Sequence, residues 1–148
     1  MTGFVVRSAG PGVTVQDLGR EGHIANGLSR GGAADRLALL EGAALLGNMP
    51  GCAALEMAGF GGVFQASGDI QIALTGAPMA ASVDGRTLVW NASHRLSAGD
   101  ILTIGAAQSG VYGYLHVAGG LQTPVCLGSR STHLTAAIGI AVTQGDRL

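Results

Sequence analysis

Short apolar runs, cut apart by glycine turns, constrain this chain more than any other feature. Of its 148 residues, 26 are glycine, and the runs between them have the length and patterning of strands. Phe4-Val5-Val6-Arg7 opens the chain, and Gly10-Pro11-Gly12 turns it into Val13-Thr14-Val15. From Asp69 to Thr75, Ile70, Ile72 and Leu74 alternate with Gln71 and Ala73, the pattern of a half-buried strand. Residues 80–83 and 87–90 flank Asp84-Gly85, the strongest short hairpin signal in the chain. Two more strands are expected at 101–104 and 111–117. The Gly-Asp pairs at 68–69, 99–100 and 145–146 adjoin such runs, which makes their aspartates turn residues.

One helix is expected, from about Ala33 to Leu46. Leu37, Leu40 and Ala44 fall at helical spacing with Leu39, Leu45 and Leu46 beside them, and Gly47-Asn48 supplies a stop. That broad apolar stripe should pack onto a sheet. The expected fold class is mainly β with one main helix, a barrel-like or sandwich arrangement in a single domain spanning residues 1–148.

Composition removes several functions. At 47% hydrophobic and 11% charged, with a net charge of −1, the chain can build a core but presents no basic field for nucleic acid or an anionic membrane. No apolar run approaches the ~20 residues of a membrane helix, and the first residues lack a signal-peptide pattern, so a cytoplasmic location is expected. All eight basic residues are arginine. A Walker-type phosphate loop, a Schiff base and a lysine base are therefore excluded within this chain. The four histidines, His23, His94, His116 and His133, lie far apart, and no metal is expected. His116 sits in an apolar run and reads as a satisfied strand histidine. No Gly-x-Ser-x-Gly elbow anchors a hydrolase triad. Cys52 and Cys126 lack framework spacing and are expected to be free, reduced core residues.

Two segments concentrate what chemistry remains. Gly119-Gly120-Leu121 and Leu127-Gly128-Ser129-Arg130-Ser131-Thr132 combine glycine amides, a planar arginine fork and small hydroxyls. This is either an anion or carboxylate site or a polar turn between strands. Seven of the 17 charged residues lie between positions 16 and 41: Asp17, Arg20, Glu21, Arg30, Asp35, Arg36 and Glu41. Gly22, Gly27, Gly31 and Gly32 surround Asn26 and Ser29 there, so the segment is either a glycine-rich loop feeding a helix N-terminus or a solvated surface loop. The Gln16–Arg20 and Leu127–Thr132 loops are expected to meet at one pocket.

The run Gly12-Val13-Thr14-Val15-Gln16-Asp17-Leu18-Gly19-Arg20-Glu21-Gly22 resembles the N-terminal signature of a known family. The likeness continues through Gly31-Gly32-Ala33-Ala34-Asp35, Leu46-Gly47-Asn48, Ala54-Leu55-Glu56, Leu74-Thr75-Gly76-Ala77, Tyr114 to Gly120 and Leu127 to Thr132. The family is allophanate hydrolase subunit 2, also called the biotin-dependent carboxyltransferase family, and the likeness lies on the side of its 5-oxoprolinase C subunits. The resemblance implies a cyclophilin-like β-barrel. It also implies a component that works with a homologous B subunit and a hydrolytic A subunit, with ATP as cofactor and nothing bound covalently. The implied reaction is ATP-dependent opening of 5-oxo-L-proline to L-glutamate. The alternatives are a biotin-dependent urea carboxylase or allophanate hydrolase-type carboxyltransferase component, or a non-catalytic assembly or regulatory half-domain.

On the resemblance and the residue chemistry together, Asp17, Asp35 and Arg130 are the candidate catalytic residues. Arg20, Gly31, Gly32, Gly128, Ser129, Ser131 and Thr132 are the candidate substrate-binding residues. Arg130 would grip a carboxylate or phosphate, while Asp17 and Asp35 would orient arginines or accept protons. Two departures stand out. The family runs to roughly twice this length, so the chain is expected to be an N-terminal half, an incomplete domain inactive in isolation. His133 stands where the family usually has aspartate, and the segment around Thr135 to Ile140 is shortened.

Overall fold

The computed structural model describes residues 2–148, and alternating apolar runs become strands almost wherever glycine or aspartate allows a turn. The strands are β1 (Phe4–Ala9), β2 (Val13–Gln16), β3 (Ala54–Ala58), β4 (Phe60–Ala66), β5 (Ile70–Gly76), β6 (Met79–Val83), β7 (Arg86–Thr87), β8 (Ala92–Leu96), β9 (Ile101–Ala107) and β10 (Tyr112–Val117). They pair into two five-stranded antiparallel sheets, ordered β1-β4-β9-β6-β7 and β2-β3-β10-β5-β8. Among the described residues a single α-helix, α1 (Arg36–Leu46), crosses the second sheet, and short 3-10 turns occur at Ile24–Asn26 and Leu134–Ala136. No helix among the described residues is long and apolar enough to cross a membrane.

The core lies between the sheets. Phe4, Val6, Phe64, Leu102 and Ile104 from the first meet Val13, Leu55, Met57, Ile72 and Leu115 from the second, all essentially inaccessible. Turn chemistry holds the strands in register. Asp84 (φ 48°) and Gly85 (φ 84°) both adopt the left-handed conformation a two-residue hairpin needs. The aspartates of the Gly-Asp pairs accept backbone hydrogen bonds: Asp69 from Ala98 (3.0 Å), Asp100 from Ser97 (2.8 Å) and Asp146 from Thr143 (2.8 Å).

Three strands were not expected. β4 carries Gly61 and Gly62, which serve close packing. A Cβ on Gly61 would fall 2.6 Å from the Ile104 side chain, and one on Gly62 2.4 Å from the Ser8 carbonyl. β8 is a polar edge strand, and β3 is apolar except for Glu56. Conversely, residues 88–90 leave the strand that their pattern suggested.

The helix differs from expectation at its start and on its face. It begins at Arg36, because the Asp35 carboxylate accepts the Ala38 amide (3.0 Å) as an N-cap, while the Ala33 amide bonds instead to the Asp17 carbonyl (2.9 Å). Gly47, at φ 66°, closes the other end. Leu37, Leu40 and Leu45 face solvent, and the buried residues are Ala38, Leu39, Gly42 and Ala43. The sheet face beneath explains the reversal. It is polar there, bearing Thr75, Tyr114 and His116, and the small residues Ala38, Gly42 and Ala43 allow the backbone to approach, with Leu39 packed beside Tyr114. For the same reason Ala73, expected on a solvated face, is fully buried.

Gly42 is the tightest point, since a Cβ there would lie 2.0 Å from His116 Nε2. Gly42→Ala should therefore destabilise the fold by about 1–3 kcal/mol of overpacking, net of the ~1 kcal/mol that alanine gains in helix propensity. Equilibrium denaturation would show it, and an unchanged or raised midpoint would mean that the helix shifts freely over the sheet.

Candidate functional site

The Gln16–Arg20 loop and the Leu127–Thr132 loop meet, as expected, and Asp17 is the reason. The Thr132 amide bonds to the Val15 carbonyl (2.8 Å), laying the second loop along the end of β2. Asp17, itself buried, then gathers four donors. Its Oδ1 accepts from the Ser129 hydroxyl (2.6 Å), the Ser131 hydroxyl (2.6 Å) and the Gly19 amide (2.8 Å), and its Oδ2 from the Arg130 amide (2.7 Å). Burial alone would raise its pKa. The hydrogen bonds from Ser129, Ser131, Arg130 and Gly19 outweigh that and hold it below the usual carboxylate value. A carboxylate so engaged stays an anion and positions the loop. It touches no arginine side chain, which departs from the orienting role expected for it.

Arg20, a substrate-binding candidate, is 2% exposed. Its Nε donates to the Cys126 carbonyl (2.9 Å), and its Nη2 to the carbonyls of Ser131 (2.5 Å) and Ser129 (3.4 Å). Its Nη1 is buried with no partner. The only salt bridge among the described residues joins Arg30 to Glu21, so Arg20 is a buried cation without a counter-ion. Beside it opens a cleft of about 370 Å³, lined also by Cys126, Arg130, Ser131, Thr132 and Arg147. Arg130 is half-buried and turns its guanidinium toward its own loop, donating to the Thr123 carbonyl and to Gln122 Oε1 (3.0 Å). This arrangement supplies the positive charge of three arginines, small hydroxyls and one carboxylate, Asp146, which also lines the cleft.

The remaining candidates divide. Ser129 stands behind the cleft on Asp17. Gly128 (φ 78°) makes the turn that pairs Cys126 with Ser129, and a Cβ on it would meet nothing, so its role is conformational. Gly31 and Gly32 line a different cleft, with Gln16, Glu56 and His133. Asp35 is exposed and caps α1, lining neither cleft. Cys126 is exposed on the cleft rather than in the core, and Cys52 is partly exposed; both are free.

Residue patterns missed a buried polar group. Tyr114, wholly buried, donates its hydroxyl to Glu56 Oε2 (2.6 Å), which also accepts the Ala34 amide (2.7 Å), while the Asp35 amide donates to the Tyr114 oxygen (2.8 Å). Burial first, then the hydrogen bond to Glu56, pushes the Tyr114 pKa well above its usual value, so the phenol keeps its proton. The lone acid in the apolar run Ala53 to Met57 was the available signal. His116, as expected, is a satisfied strand histidine, with Nε2 2.9 Å from Thr75 Oγ1. Since the Thr75 proton goes to the Ala38 carbonyl (2.7 Å), His116 Nε2 is the donor. His133 Nε2 lies 2.7 Å from Ser29 Oγ, which suggests a nucleophile and its base. However, His133 Nδ1 accepts the Ala136 amide (3.3 Å), which places the proton on Nε2. The ring therefore donates to Ser29 and cannot activate it. No group of three metal-ligating side chains occurs among the described residues.

Comparison with known proteins places this chain among relatives. The family model for the carboxyltransferase domain, subdomain A and B, matches residues 26–148. The C subunit of the Haemophilus influenzae 5-oxoprolinase is 40% identical over 126 residues, covering 85% of this chain and 41% of that protein. The Escherichia coli protein of the same name is 38% identical over 144 residues, covering 95% of this chain and 46% of that one. The chain thus spans about half the length of the curated relatives it matches. Among solved structures, the urea amidolyase of K. lactis superimposes with a TM-score of 0.92 at 28% identity, covering 98% of this chain and 9% of that one.

Proposed function

We propose that this chain, which belongs to the carboxyltransferase domain family of subdomains A and B, works as the C component of a 5-oxoprolinase. In that reading it joins a homologous B subunit and a hydrolytic A subunit in the cytoplasm, and the complex opens 5-oxo-L-proline to L-glutamate at the expense of ATP. The names of its relatives support the component role. The cyclophilin-like barrel belongs to the same proposal, as the form the two sheets take in the complete domain.

One observation carries the reading. A buried arginine, Arg20, holds an N–H without a partner beside a cleft that Arg130, Ser131 and Thr132 also line. A carboxylate there would lie against this buried cation and supply the missing counter-ion, with the neighbouring arginine able to meet it in the planar geometry that a carboxylate prefers. Asp17 keeps the loop in place so that these donors are arranged before the ligand arrives. The residues present do not fit ATP. No lysine, no phosphate-cradling glycine loop of the Walker type and no carboxylate cluster for a magnesium ion occur among the described residues. The nucleotide would therefore bind outside the described residues.

The test uses the reconstituted complex. Arg130→Ala should lower kcat/KM for 5-oxoproline by roughly 10- to 150-fold, the range for losing a charge-assisted pair. Arg130→Lys should fail nearly as badly, because a point-charge ammonium cannot reproduce a planar fork. Wild-type activity from Arg130→Ala would remove the residue from the site. The likeness to urea amidolyase favours one second reading, a urea carboxylase-type component, and substituting urea for 5-oxoproline in the same assay separates the two.

A further inference from the structure

A second cleft, of about 330 Å³, shares Thr132 with the arginine-lined one but carries the opposite charge. Strand register sets Thr14, Glu56 and Tyr114 side by side across β2, β3 and β10. α1 and Ala33 cover the Tyr114 end, whereas Thr14 and Glu56 line the cleft. Gly12 and Ala58 lie against each other in the same wall, where a Cβ on Gly12 would come 2.7 Å from the Ala58 Cβ. That part of the lining is therefore smooth and apolar. Leu134, 61% exposed, continues it to the surface, and Gly31, Gly32 and His133 close the remaining side.

Asp17 and Glu56 are the buried carboxylates among the described residues, and they are satisfied differently. Asp17 spreads four donors over both oxygens. Glu56 receives two, the Tyr114 hydroxyl (2.6 Å) and the Ala34 amide (2.7 Å), and both fall on Oε2. Oε1 accepts nothing from the described residues and is not among the sealed polar atoms, so it opens on the cleft. No arginine lines this cleft, and the salt bridge between Arg30 and Glu21 lies outside it. A carboxylate largely withdrawn from water, with one oxygen facing a cleft and no cation beside it, favours a positively charged ligand. A metal ion would find one carboxylate where it needs several ligands. A guanidinium binds best through both oxygens of a carboxylate, and here Oε2 is already taken. An ammonium is a compact charge that needs only one oxygen. The apolar wall of Gly12, Ala58 and Leu134 suits the aliphatic stem behind such a group.

We propose that this cleft is a socket for a lysine side chain of a partner protein, with the ammonium on Glu56 Oε1 and the stem along Gly12, Ala58 and Leu134. The 148 residues contain no lysine, so a second copy of this chain does not supply the side chain. Tyr114 is a positioning residue, since its hydroxyl fixes Glu56 through the oxygen the ammonium does not use. Gly31 keeps the opposite wall in place: a Cβ on it would come within 2.9 Å of the His133 ring. The socket does not depend on the function proposed above, because the arginine-lined cleft takes groups of the other charge.

The test titrates the isotope-labelled chain with N-acetyl-lysine amide and follows the backbone amide resonances. The comparison compounds are its Nε-acetylated form, which keeps the stem but loses the charge, N-acetyl-arginine amide and n-butylammonium. Saturable shifts are expected at Gly31, Gly32, Ala58, His133 and Leu134 from the lysine compound. Its affinity should exceed that of the Nε-acetylated form by about ten-fold or more, and that of the arginine compound by a smaller factor. Glu56→Gln keeps an oxygen for Tyr114 and Ala34 but turns an NH₂ toward the cleft, and should bring the charged and acetylated compounds to equal affinity. Equal binding of those two by the wild-type chain would overturn the proposal. So would tighter binding of the arginine compound, shifts confined to the surroundings of Glu21 or Asp146, or no saturable shifts at all. Tighter binding of n-butylammonium would assign the cleft to a small free amine and overturn the partner. The wild-type comparison needs no variant to fold.

Discussion

Asp17→Ala should lower the stability of this chain by about 3–5 kcal/mol and release the Leu127–Thr132 loop. The carboxylate gathers two hydroxyls and two backbone amides at 2.6–2.8 Å, and three of those donors come from Ser129, Arg130 and Ser131. Removing the acceptor strands donors that the fold has already desolvated, which costs more than the lost bonds are worth as a net contribution. Asp17→Asn should cost less but still destabilise, because its NH₂ would face groups that are themselves donors. Denaturant melts would read the size of the effect, and amide exchange at Arg130 and Ser131 its location. A change below about 1 kcal/mol for Asp17→Ala would show that the loop is held by its other contacts. The pH dependence has a definite sign. Because the folded-state pKa lies below the ordinary 3.8, the contribution is complete above that value and is lost as pH falls through the folded pKa.

A separate loss should appear at milder acidity. His116 is 2% exposed, and burial lowers its pKa from 6.5 to about 4. The unfolded chain binds a proton near pH 6.5 that the folded chain refuses until about pH 4. Stability from this group is therefore complete above 6.5 and declines as pH falls toward 4, by roughly 3 kcal/mol in all. Protonation is refused because α1 seals the ring against Gly42, while its Nε2–H already serves Thr75. His116→Gln can keep a donor to Thr75 without a titrating ring, so the difference between the two proteins' stability–pH curves isolates the histidine. Parallel curves between pH 6.5 and 4 would sink the assignment. Asp17 titrates below this window, so the two effects separate along the pH axis.

How much of this was legible in the sequence varies with the range of the forces involved. The Asp84-Gly85 hairpin, the turn aspartates and the Gly47 helix stop follow from local backbone preferences, and each appears where its residues stand. The meeting of the two polar loops was legible from the crowding of glycine, serine and arginine in an apolar chain. Long-range packing decided the rest. The helix buries Ala38, Gly42 and Ala43 instead of Leu37, Leu40 and Leu45 because the sheet beneath presents Tyr114, His116 and Thr75. No pattern within the helix records what it will lie against.

The glycines of β4 carry the same lesson, for they serve as contact points for Ser8 and Ile104 that only the fold brings to them. At the candidate site, the sequence determined which chemical groups were present: arginines without lysine, small hydroxyls, and one acid within the β3 run. Only the tertiary structure decided their roles. A charged side chain becomes a clasp, a buried cation or a ligand contact according to which donors and acceptors other strands bring within about 3 Å of it. Asp17 met its partners from more than a hundred residues away and became the clasp. Arg20 was sealed among carbonyls with one N–H left over, and Glu56 kept one oxygen free beside an unpartnered glutamine.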